Sequence, residues 1–304
     1  MPDINPLVTA TQYLRVKQAD VPVRIGYPRA SSISKACMRL HTIAMKHQLF
    51  KESKQTNLPS RMAFSLGNAL HWWIQNRPDF YGDDRRGWWK CLACSKPKGK
   101  STIPYFGAPP GADYVCPKCG AGPYAMEYYE HPMTLTGDPF YVTGHPDLFL
   151  AVNGGKFAGY NMVNELKSIK NGNNDKWDWD NITYPIIDHV YQVITYIMFL
   201  HHDRIIKKFN IKVVPDQANV SYIAKGNFGN KLPIKTFTVE KKRHLDVVED
   251  IEMRLGLFAG GFYDFPRKLA AAESACSRSD FTHYMARTCP GQATCQGLYK
   301  EGYE

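Results

Sequence analysis

The sequence predicts an α/β fold in which helices flank a central mixed β-sheet. Segments with the helical spacing of apolar residues alternate with short runs rich in β-branched and aromatic residues. A β-meander in the middle of the chain is followed by a long helix and two further strands, which is typical of helices on a sheet. Helices are expected at about 31–50, 60–76, 186–203 and 240–259, and strands at about 132–169 and near 218–225 and 234–239.

Composition sets the limits for this prediction. A chain of 304 residues with 44% hydrophobic content can bury one large core, or one core and an inserted module. The formal net charge of +10 favours a polyanionic partner. No apolar run approaches the length of a membrane span, and the first residues lack the charged and apolar regions of a signal peptide. We therefore expect a cytoplasmic protein with no membrane partner.

The first two predicted helices each carry a residue of chemical interest. Cys37 lies in the first, for which a preceding serine is available as N-cap. In the second, residues 64–73 have a helical apolar pattern that places His71 one turn after Gly67. A neutral imidazole binds Mn²⁺ well and is tolerated beside Mg²⁺. A histidine that is simply satisfied within the core is the alternative interpretation.

Between the second helix and the meander lie two C-x₂-C pairs. They consist of Cys91, Cys94, Cys116 and Cys119, separated by a loop rich in glycine and proline. Four thiolates at this spacing predict a tetrahedral structural Zn²⁺ site of the zinc-ribbon type. Residues 85–125 contain few aliphatic residues, so the metal would replace a missing core. Lysines 96, 98, 100 and 118 make this segment basic, which is suited to DNA contact, to solubility alone or to a docked partner.

Two acids and a lysine are the most informative part of the meander. Asp147 begins one strand-like run, and Glu165 and Lys167 end the next, so a hairpin would bring the two carboxylates side by side. Glu165 and Lys167 are two residues apart and would project from the same face of one strand. Two convergent carboxylates suit a hard divalent cation, and a lysine beside bound water can position it for attack on phosphorus. Chance acids on a solvated strand face are the alternative.

The remaining predicted elements follow this hairpin. Gln192 and Tyr196 share one face of a strongly helical segment. Lys225 ends a predicted strand. Residues 176–180 and Tyr184 form an aromatic-rich stretch, which could stack on single-stranded bases or clamp a loop onto the body of the protein.

Four short motifs occur in an order that resembles a known family. They are Gly67-x-x-x-His71, Gly144-x-x-Asp147, Glu165-x-Lys167 and Gln192-x-x-x-Tyr196. The order resembles that of the PD-(D/E)xK nucleases of the RecB and Cas4-like branch, over residues 31–295 or so. The resemblance implies a restriction-endonuclease-like core formed by residues 1–84 and 126–304, with residues 85–125 as a zinc-ribbon insertion.

The resemblance also implies roles for individual residues. His71, Asp147, Glu165 and the backbone carbonyl of Leu166 would bind Mg²⁺ or Mn²⁺, and Lys167 would activate or orient the attacking water. Gln192 and Tyr196 would lie at the edge of the active site and help to hold DNA. Lys225 would lie on a late strand of the same fold, where a lysine can meet phosphate.

A second set of cysteines resembles the [4Fe–4S] site of the Cas4-like branch. Its members are Cys37, Cys276, Cys289 and Cys295. Four thiolates are the usual ligands of such a cluster, which would join the two ends of the domain. The spacing from Cys289 to Cys295 agrees with the family pattern. Cys276 departs from it, because the family has a cysteine at the position of Ala286. A second zinc site and free buried thiols are the alternatives.

These observations together predict a metal-dependent DNA nuclease that acts on single-stranded or end-bearing DNA. By resemblance, its biology would be DNA repair, recombination, phage replication or CRISPR adaptation, with a helicase, recombinase, single-strand-binding protein or integrase as partner. The main alternative is a non-catalytic DNA-binding or scaffolding subunit that keeps the nuclease fold. A zinc-ribbon accessory protein is a third, but it would leave the four ordered motifs unexplained.

Overall fold

The structure is a computed structural model, and it describes most of the central part of the chain. The described residues are 23–24, 27–35, 37–47, 50–51, 58–77, 80–94, 105–137, 140–170, 179–225, 234–263, 289 and 292–301.

A seven-stranded mixed sheet forms the centre of the fold, which confirms the predicted α/β class. Its order is β11-β10-β9-β8-β3-β4, and β5 also pairs with β3. Only β9 and β10 pair in parallel among the neighbours of this described sheet. The strands are β3 (Arg85–Cys91), β4 (Tyr105–Gly107), β5 (Met126–Tyr129), β8 (Leu148–Ala151), β9 (Asn161–Lys170), β10 (Gln217–Lys225) and β11 (Ile234–Glu240).

Two pairs of short strands lie outside this sheet. Strands β1 (Val23–Arg24) and β2 (Phe50–Lys51) pair with each other, as do β6 (Met133–Gly137) and β7 (Phe140–Gly144). The expected meander at 132–169 is therefore divided between two sheets. Pro146 lies at the division, and a residue without an N–H cannot continue a strand ladder.

Helices cover both faces of the central sheet. They are α1 (Met38–His47), α2 (Leu58–Asn76), α3 (Ile187–Phe199), α4 (Arg204–Lys208), α5 (Leu245–Tyr263) and α6 (Gln292–Lys300). The most apolar of them, α3, is buried along nearly all its length after Val190 and packs with α5 on one face. Helix α2 covers the opposite face, where Ile74 meets Leu148 and Leu166.

The strand alternation of β9 divides its side chains between these two faces. Val163 belongs to the core beneath α3, and Leu166 belongs to the core beneath α2. Glu165 and Lys167 therefore face the α3 side, since they share the parity of Val163. Strand β10 is buried on both faces, as expected for an internal strand that pairs in parallel with β9.

Several element boundaries differ from those predicted. The expected first helix is a 3₁₀ turn at Ala30–Lys35 followed by α1, and the expected helix at 186–203 ends in a 3₁₀ turn at Leu200–His202. Within the described residues, no helix combines the length and the apolar character needed to cross a bilayer.

Strand β3 links the central sheet to the cysteine-bearing segment. Arg85 and Arg86 pair with β8, whereas the second half of the strand pairs with β4 and β5 and ends at Cys91. Arg85 is fully buried, and its guanidinium donates to the carbonyl oxygens of Ile74 and Arg77 at the end of α2. The cysteine-bearing segment is thus continuous with the sheet that carries the two acids.

Candidate functional site

The β8–β9 hairpin brings Asp147 and Glu165 together at one end of its ladder. Leu148 pairs with Asn164 in the antiparallel ladder. Asp147 precedes Leu148 and Glu165 follows Asn164, so both acids lie next to this pair. Asp147 accepts a hydrogen bond of 2.7 Å through Oδ2 from the backbone N–H of Leu166. Both carboxylates are buried, which is costly for a charged group unless a partner offsets it.

Glu165 is held by two donors on one of its oxygens. Lys167 Nζ lies 2.6 Å from Oε1, as expected for two residues on one strand face, and Gln192 Nε2 donates to the same oxygen at 2.7 Å. The second oxygen, Oε2, is buried without a hydrogen-bond partner among the described residues. Since buried polar atoms are nearly always paired, this oxygen is placed to bind something further.

His71 approaches Asp147 from helix α2. Its Nδ1 lies 3.8 Å from Asp147 Oδ1, which is too long for a hydrogen bond. Burial, with the charges of Lys167 and Lys225, lowers the pKa of His71 to about 4. The imidazole is therefore neutral at physiological pH and offers a lone pair.

Gly67 explains why the helix can come so close to the sheet. A Cβ at this position would lie 2.8 Å from Ser168 Oγ on β9 and 3.6 Å from Lys225 Nζ on β10. Gly67 lets the helix lie against the sheet, and His71 follows one turn later. The spacing therefore places the imidazole near the sheet.

Tyr196 anchors the chain that leads to Asp147. Its hydroxyl accepts a hydrogen bond from the backbone N–H of His145, and its ring lies so close to Gly144 that a Cβ there would be 2.6 Å from the ring. Tyr196 Oη also accepts from Gln192 Nε2 at 3.2 Å. Gln192 and Tyr196 are only 3% and 1% exposed, so in this structure their contacts are with the protein.

Glu130 was not identified from the sequence, yet it lies in the site. It follows strand β5, and its carboxylate lies within 4.8 Å of the ligand atoms of His71 and Asp147. Gln75 Nε2 donates both to Glu130 Oε1 at 2.7 Å and to the carbonyl of Asp147 at 2.8 Å. The nearest sequence signal is its place just beyond the C-x₂-C pairs, which does not by itself indicate proximity to His71.

The pKa values of the site reflect burial and the repulsion between neighbouring carboxylates. Burial, followed by the charge of Glu165, raises the pKa of Asp147 well above its usual value. The same two causes raise the pKa of Glu130, even though Gln75 opposes them. Burial alone would lower the pKa of Lys167, but attraction to these carboxylates outweighs it and raises that pKa. Lys167 is therefore a protonated donor at neutral pH.

Two further cations lie near the site. Lys225 Nζ donates to the carbonyl of Ala63 on α2, and its charge acts on His71. Arg29 is exposed, and its charge helps to lower the pKa of His145, whereas the charge of Glu165 opposes that shift. His71 and Lys167 each keep 22% of their side-chain surface in contact with solvent, which leaves the site accessible.

The four cysteines of the two C-x₂-C pairs form a compact cluster that could hold a metal ion. Their sulfur atoms lie within 4.8 Å of one another, with 3.7 Å between Cys91 and Cys119 and between Cys94 and Cys116. Backbone N–H groups of Lys118 and Cys119 donate to Cys116 and lower the pKa of its thiol to about 6. Gly120, with φ of +71°, closes the same turn by donating its backbone N–H to the Cys116 carbonyl at 2.9 Å.

Of the second cysteine set, Cys37, Cys289 and Cys295 are described, and Cys276 lies outside the described residues. Cys37 precedes α1, whose backbone N–H at Leu40 donates to its sulfur, and Cys295 lies in α6, which contacts α1. Among the described residues, these three belong to no group of three or more ligand residues whose atoms lie within 4.8 Å of one another. The iron–sulfur site therefore stays a prediction.

The aromatic stretch after β9 is described only in part. Trp179 is buried, and Lys235 Nζ donates to its carbonyl at 2.7 Å and lies 4.6 Å from its ring centre. Tyr184, by contrast, is exposed. Lysines 96, 98 and 100, like residues 176–178, lie outside the described residues, and Lys118 is exposed.

Comparisons with known proteins leave the family open. No family model matches this chain, and no curated protein matches it either. Among solved structures, a chain titled "Crystal structure of SSO0001" is 11% identical, covers 87% of this chain and 97% of its own length, and has a TM-score of 0.32. A TM-score of this size supports no conclusion about fold or function.

Proposed function

We propose that the protein is a DNA nuclease that requires Mg²⁺ or Mn²⁺. The observation that carries the proposal is the convergence of Asp147, Glu165 and Lys167, with a buried and unpartnered oxygen on Glu165. The pattern fits the four ordered motifs that resemble the PD-(D/E)xK nucleases.

The residues fit a divalent cation. Carboxylate oxygens are the preferred ligands of Mg²⁺, with bonds of about 2.0–2.1 Å, so two ligands of one ion lie about 2.9–4.2 Å apart. The distance of 3.8 Å between His71 Nδ1 and Asp147 Oδ1 falls in this range. Burial, followed by the charge of Glu165, raises the pKa of Asp147, and a bound cation would oppose both effects.

Each residue then has a role in phosphodiester hydrolysis. Asp147, Glu165 and His71 would hold the cation, which supplies charge stabilisation of the phosphorane-like transition state and a lowered pKa of bound water. Lys167, as a protonated donor, would orient the attacking water and a phosphate oxygen. Gln192 would hold the carboxylate of Glu165 in place by donating a hydrogen bond to its Oε1.

DNA would reach the site across its basic rim. Lys225 is close enough to His71, and Arg29 to His145, for its charge to act on that histidine. Contacts of this type bind phosphates without reading bases, so they give affinity that depends on salt. Single-stranded or end-bearing DNA is the proposed substrate, in agreement with the net charge of +10.

We propose Zn²⁺ as the ion of the four-cysteine cluster, in a module of the zinc-ribbon type. Zn–S bonds of about 2.3 Å in a tetrahedron place the sulfur atoms about 3.8 Å apart. Two of the sulfur–sulfur distances are 3.7 Å.

The test is degradation of labelled single-stranded DNA by the purified chain. Cleavage that needs Mg²⁺ and stops with EDTA is expected. Asp147→Ala and Lys167→Ala should abolish it while DNA binding stays largely intact, because both residues serve the chemistry. Asp216→Ala, at a half-exposed acid beside Lys156, is the matched control. Cleavage by either site variant at the wild-type rate would refute the proposal, whereas binding without cleavage by the wild type would favour a non-catalytic subunit.

A further inference from the structure

Phe64 is an aromatic residue on the part of α2 that leads to the candidate site, and it is 66% exposed. It precedes His71 by seven residues, which is close to two full turns. Both residues therefore lie on one stripe of the helix, about 10 Å apart along its axis. Gln75, which donates to Glu130 and to the carbonyl of Asp147, lies one turn further along this stripe. Phe64 thus belongs to the side of α2 that carries residues of the site.

The ammonium group of Lys225 lies against the same turn of α2 as Phe64. Its Nζ donates to the carbonyl of Ala63 at 3.1 Å, and it would lie 3.6 Å from a Cβ at Gly67. Ala63 directly precedes Phe64, and Gly67 follows it by three residues. An ammonium group has three N–H donors, so Lys225 can donate to a phosphate oxygen while it keeps the bond to Ala63. An exposed aromatic ring and a cation therefore occur within one helical turn.

This combination matches the chemistry of one unpaired nucleotide. The face of a base stacks on an aromatic ring, and the adjoining phosphate attracts a lysine. In a duplex the faces of the bases are occupied by one another, so only an unpaired base can stack on the protein. Isolated exposed hydrophobic residues are common, and Leu66, which is 50% exposed, is one of them. It lies two residues after Phe64 and hence on the opposite side of the helix.

We propose that Phe64 and Lys225 form a subsite for one unpaired nucleotide of a DNA strand, with the base on Phe64 and the adjoining phosphate on Lys225. The inference rests on the proposed nuclease function and adds to it a physical reason for a preference for single strands. Because Phe64 lies about 10 Å along α2 from His71, the nucleotide in this subsite is close to the cleaved position without occupying it.

The test measures the binding of two labelled strands of equal length by fluorescence anisotropy at low salt, with EDTA present so that neither strand is cut. One strand is oligothymidylate, and the other consists of stable abasic nucleotides, which keep the phosphates and lack the bases. We expect Phe64→Ala to weaken binding of oligothymidylate roughly 5- to 150-fold, as the loss of one stacked base implies, and to leave binding of the abasic strand unchanged. Phe64→Trp should bind oligothymidylate at least as well as the wild type.

Two further variants separate stacking from other effects. Leu66→Ala removes apolar surface from the opposite side of the same helix, so it should bind both strands as the wild type does. Lys225→Ala should weaken binding of both strands to the same degree. It should also reduce the slope of log affinity against log salt concentration by about 0.7, as expected for one lost phosphate contact on a single strand.

The possible results separate this subsite from the proposed function. If Phe64→Ala binds both strands as the wild type does, or loses affinity equally for both, the subsite is overturned even where Mg²⁺-dependent cleavage is found. A loss confined to oligothymidylate in a protein that cuts no DNA would refute the nuclease and leave the subsite standing. If Phe64→Ala does not fold, Phe64→Leu decides: weaker binding of oligothymidylate alone supports the inference, and unchanged affinity rejects it.

Discussion

At the scale of single residues, Gln192 shows how a buried amide can control a charged site. It donates at 2.7 Å to the Glu165 oxygen that also meets Lys167, and the other oxygen has no hydrogen-bond partner among the described residues. A hydrogen bond to a charged group contributes about 1.5–3 kcal/mol. The Gln-x-x-x-Tyr pattern thus acts in this structure through Glu165 and through the chain before Asp147.

We expect Gln192→Ala to lower Mg²⁺-dependent cleavage roughly 10- to 100-fold, as the loss of a hydrogen bond to a carboxylate implies. The thermal unfolding midpoint should change little by comparison. Thr195→Ala truncates a buried polar residue of the same helix whose hydroxyl donates to the Tyr191 carbonyl, so it is the control. Equal rates for the two variants would show that Gln192 has no special role.

At the scale of secondary structure, the contact of α2 with the sheet positions His71. The spacing of Gly67 and His71 was visible in the sequence, but the reason for the glycine was not, since the partner Ser168 is about a hundred residues away. Glu130 was missed for the same reason: its approach to His71 depends on how β5 docks on α2. The hairpin of Asp147 and Glu165 was predictable because strand alternation and short turns are local properties.

The prediction of one continuous meander was wrong in its strand pairing. Alternating runs between 132 and 169 predicted consecutive strands of one sheet, and local pattern cannot tell that β6 and β7 pair apart from β8 and β9. Pro146 interrupts the ladder there, and it leaves Asp147 outside a strand, where its side chain can turn toward Leu166.

Gly67→Ala tests the positioning of His71 by the helix. The added methyl group would meet Ser168 Oγ at 2.8 Å, so the helix must move or the serine must rotate. We expect weaker Mn²⁺ binding, with recovery in the double variant Gly67→Ala/Ser168→Ala. Gly260→Ala in α5, where a Cβ meets nothing within 4 Å, should leave binding unchanged and stabilise the helix by up to about 1 kcal/mol. If Ser168→Ala does not restore binding to Gly67→Ala, the contact between these two positions does not place His71.

At the scale of the whole molecule, the buried acids tie cation binding to pH. Burial, with the charge of Glu165, raises the pKa values of Asp147 and Glu130, so protons compete with a cation over a range that extends above the ordinary carboxyl values. His71, with a pKa of about 4, has already lost its proton across that range. Cation affinity should therefore rise with pH and then become constant once both acids are ionised.

Calorimetric titration of Mn²⁺ in two buffers with different ionisation enthalpies measures the protons released. We expect release on binding at a pH just above the ordinary carboxyl range, with a decline at higher pH, since fewer protons remain on the raised carboxyls. Asp147→Asn should release fewer protons at the lower pH. Proton release that is zero throughout would show that these carboxylates do not bind the ion.

The two ends of the chain bear on the second cysteine set. Helix α6 contacts α1, so Cys295 and Cys37 belong to neighbouring elements, while Cys276 lies outside the described residues. If an iron–sulfur cluster joins them, protein prepared without air should absorb broadly near about 400 nm and contain stoichiometric iron. Cys289→Ser should lose both properties, whereas Cys119→Ser should retain them. A colourless wild-type preparation without iron would exclude the cluster.

Anomalous diffraction from a crystal soaked in Mn²⁺ measures directly whether Asp147 and Glu165 share a divalent cation, as we propose. We expect an anomalous peak in contact with both carboxylates, at a Mn²⁺ concentration that supports DNA cleavage. Absence of a peak there under those conditions, or a peak that touches neither acid, would contradict the proposal.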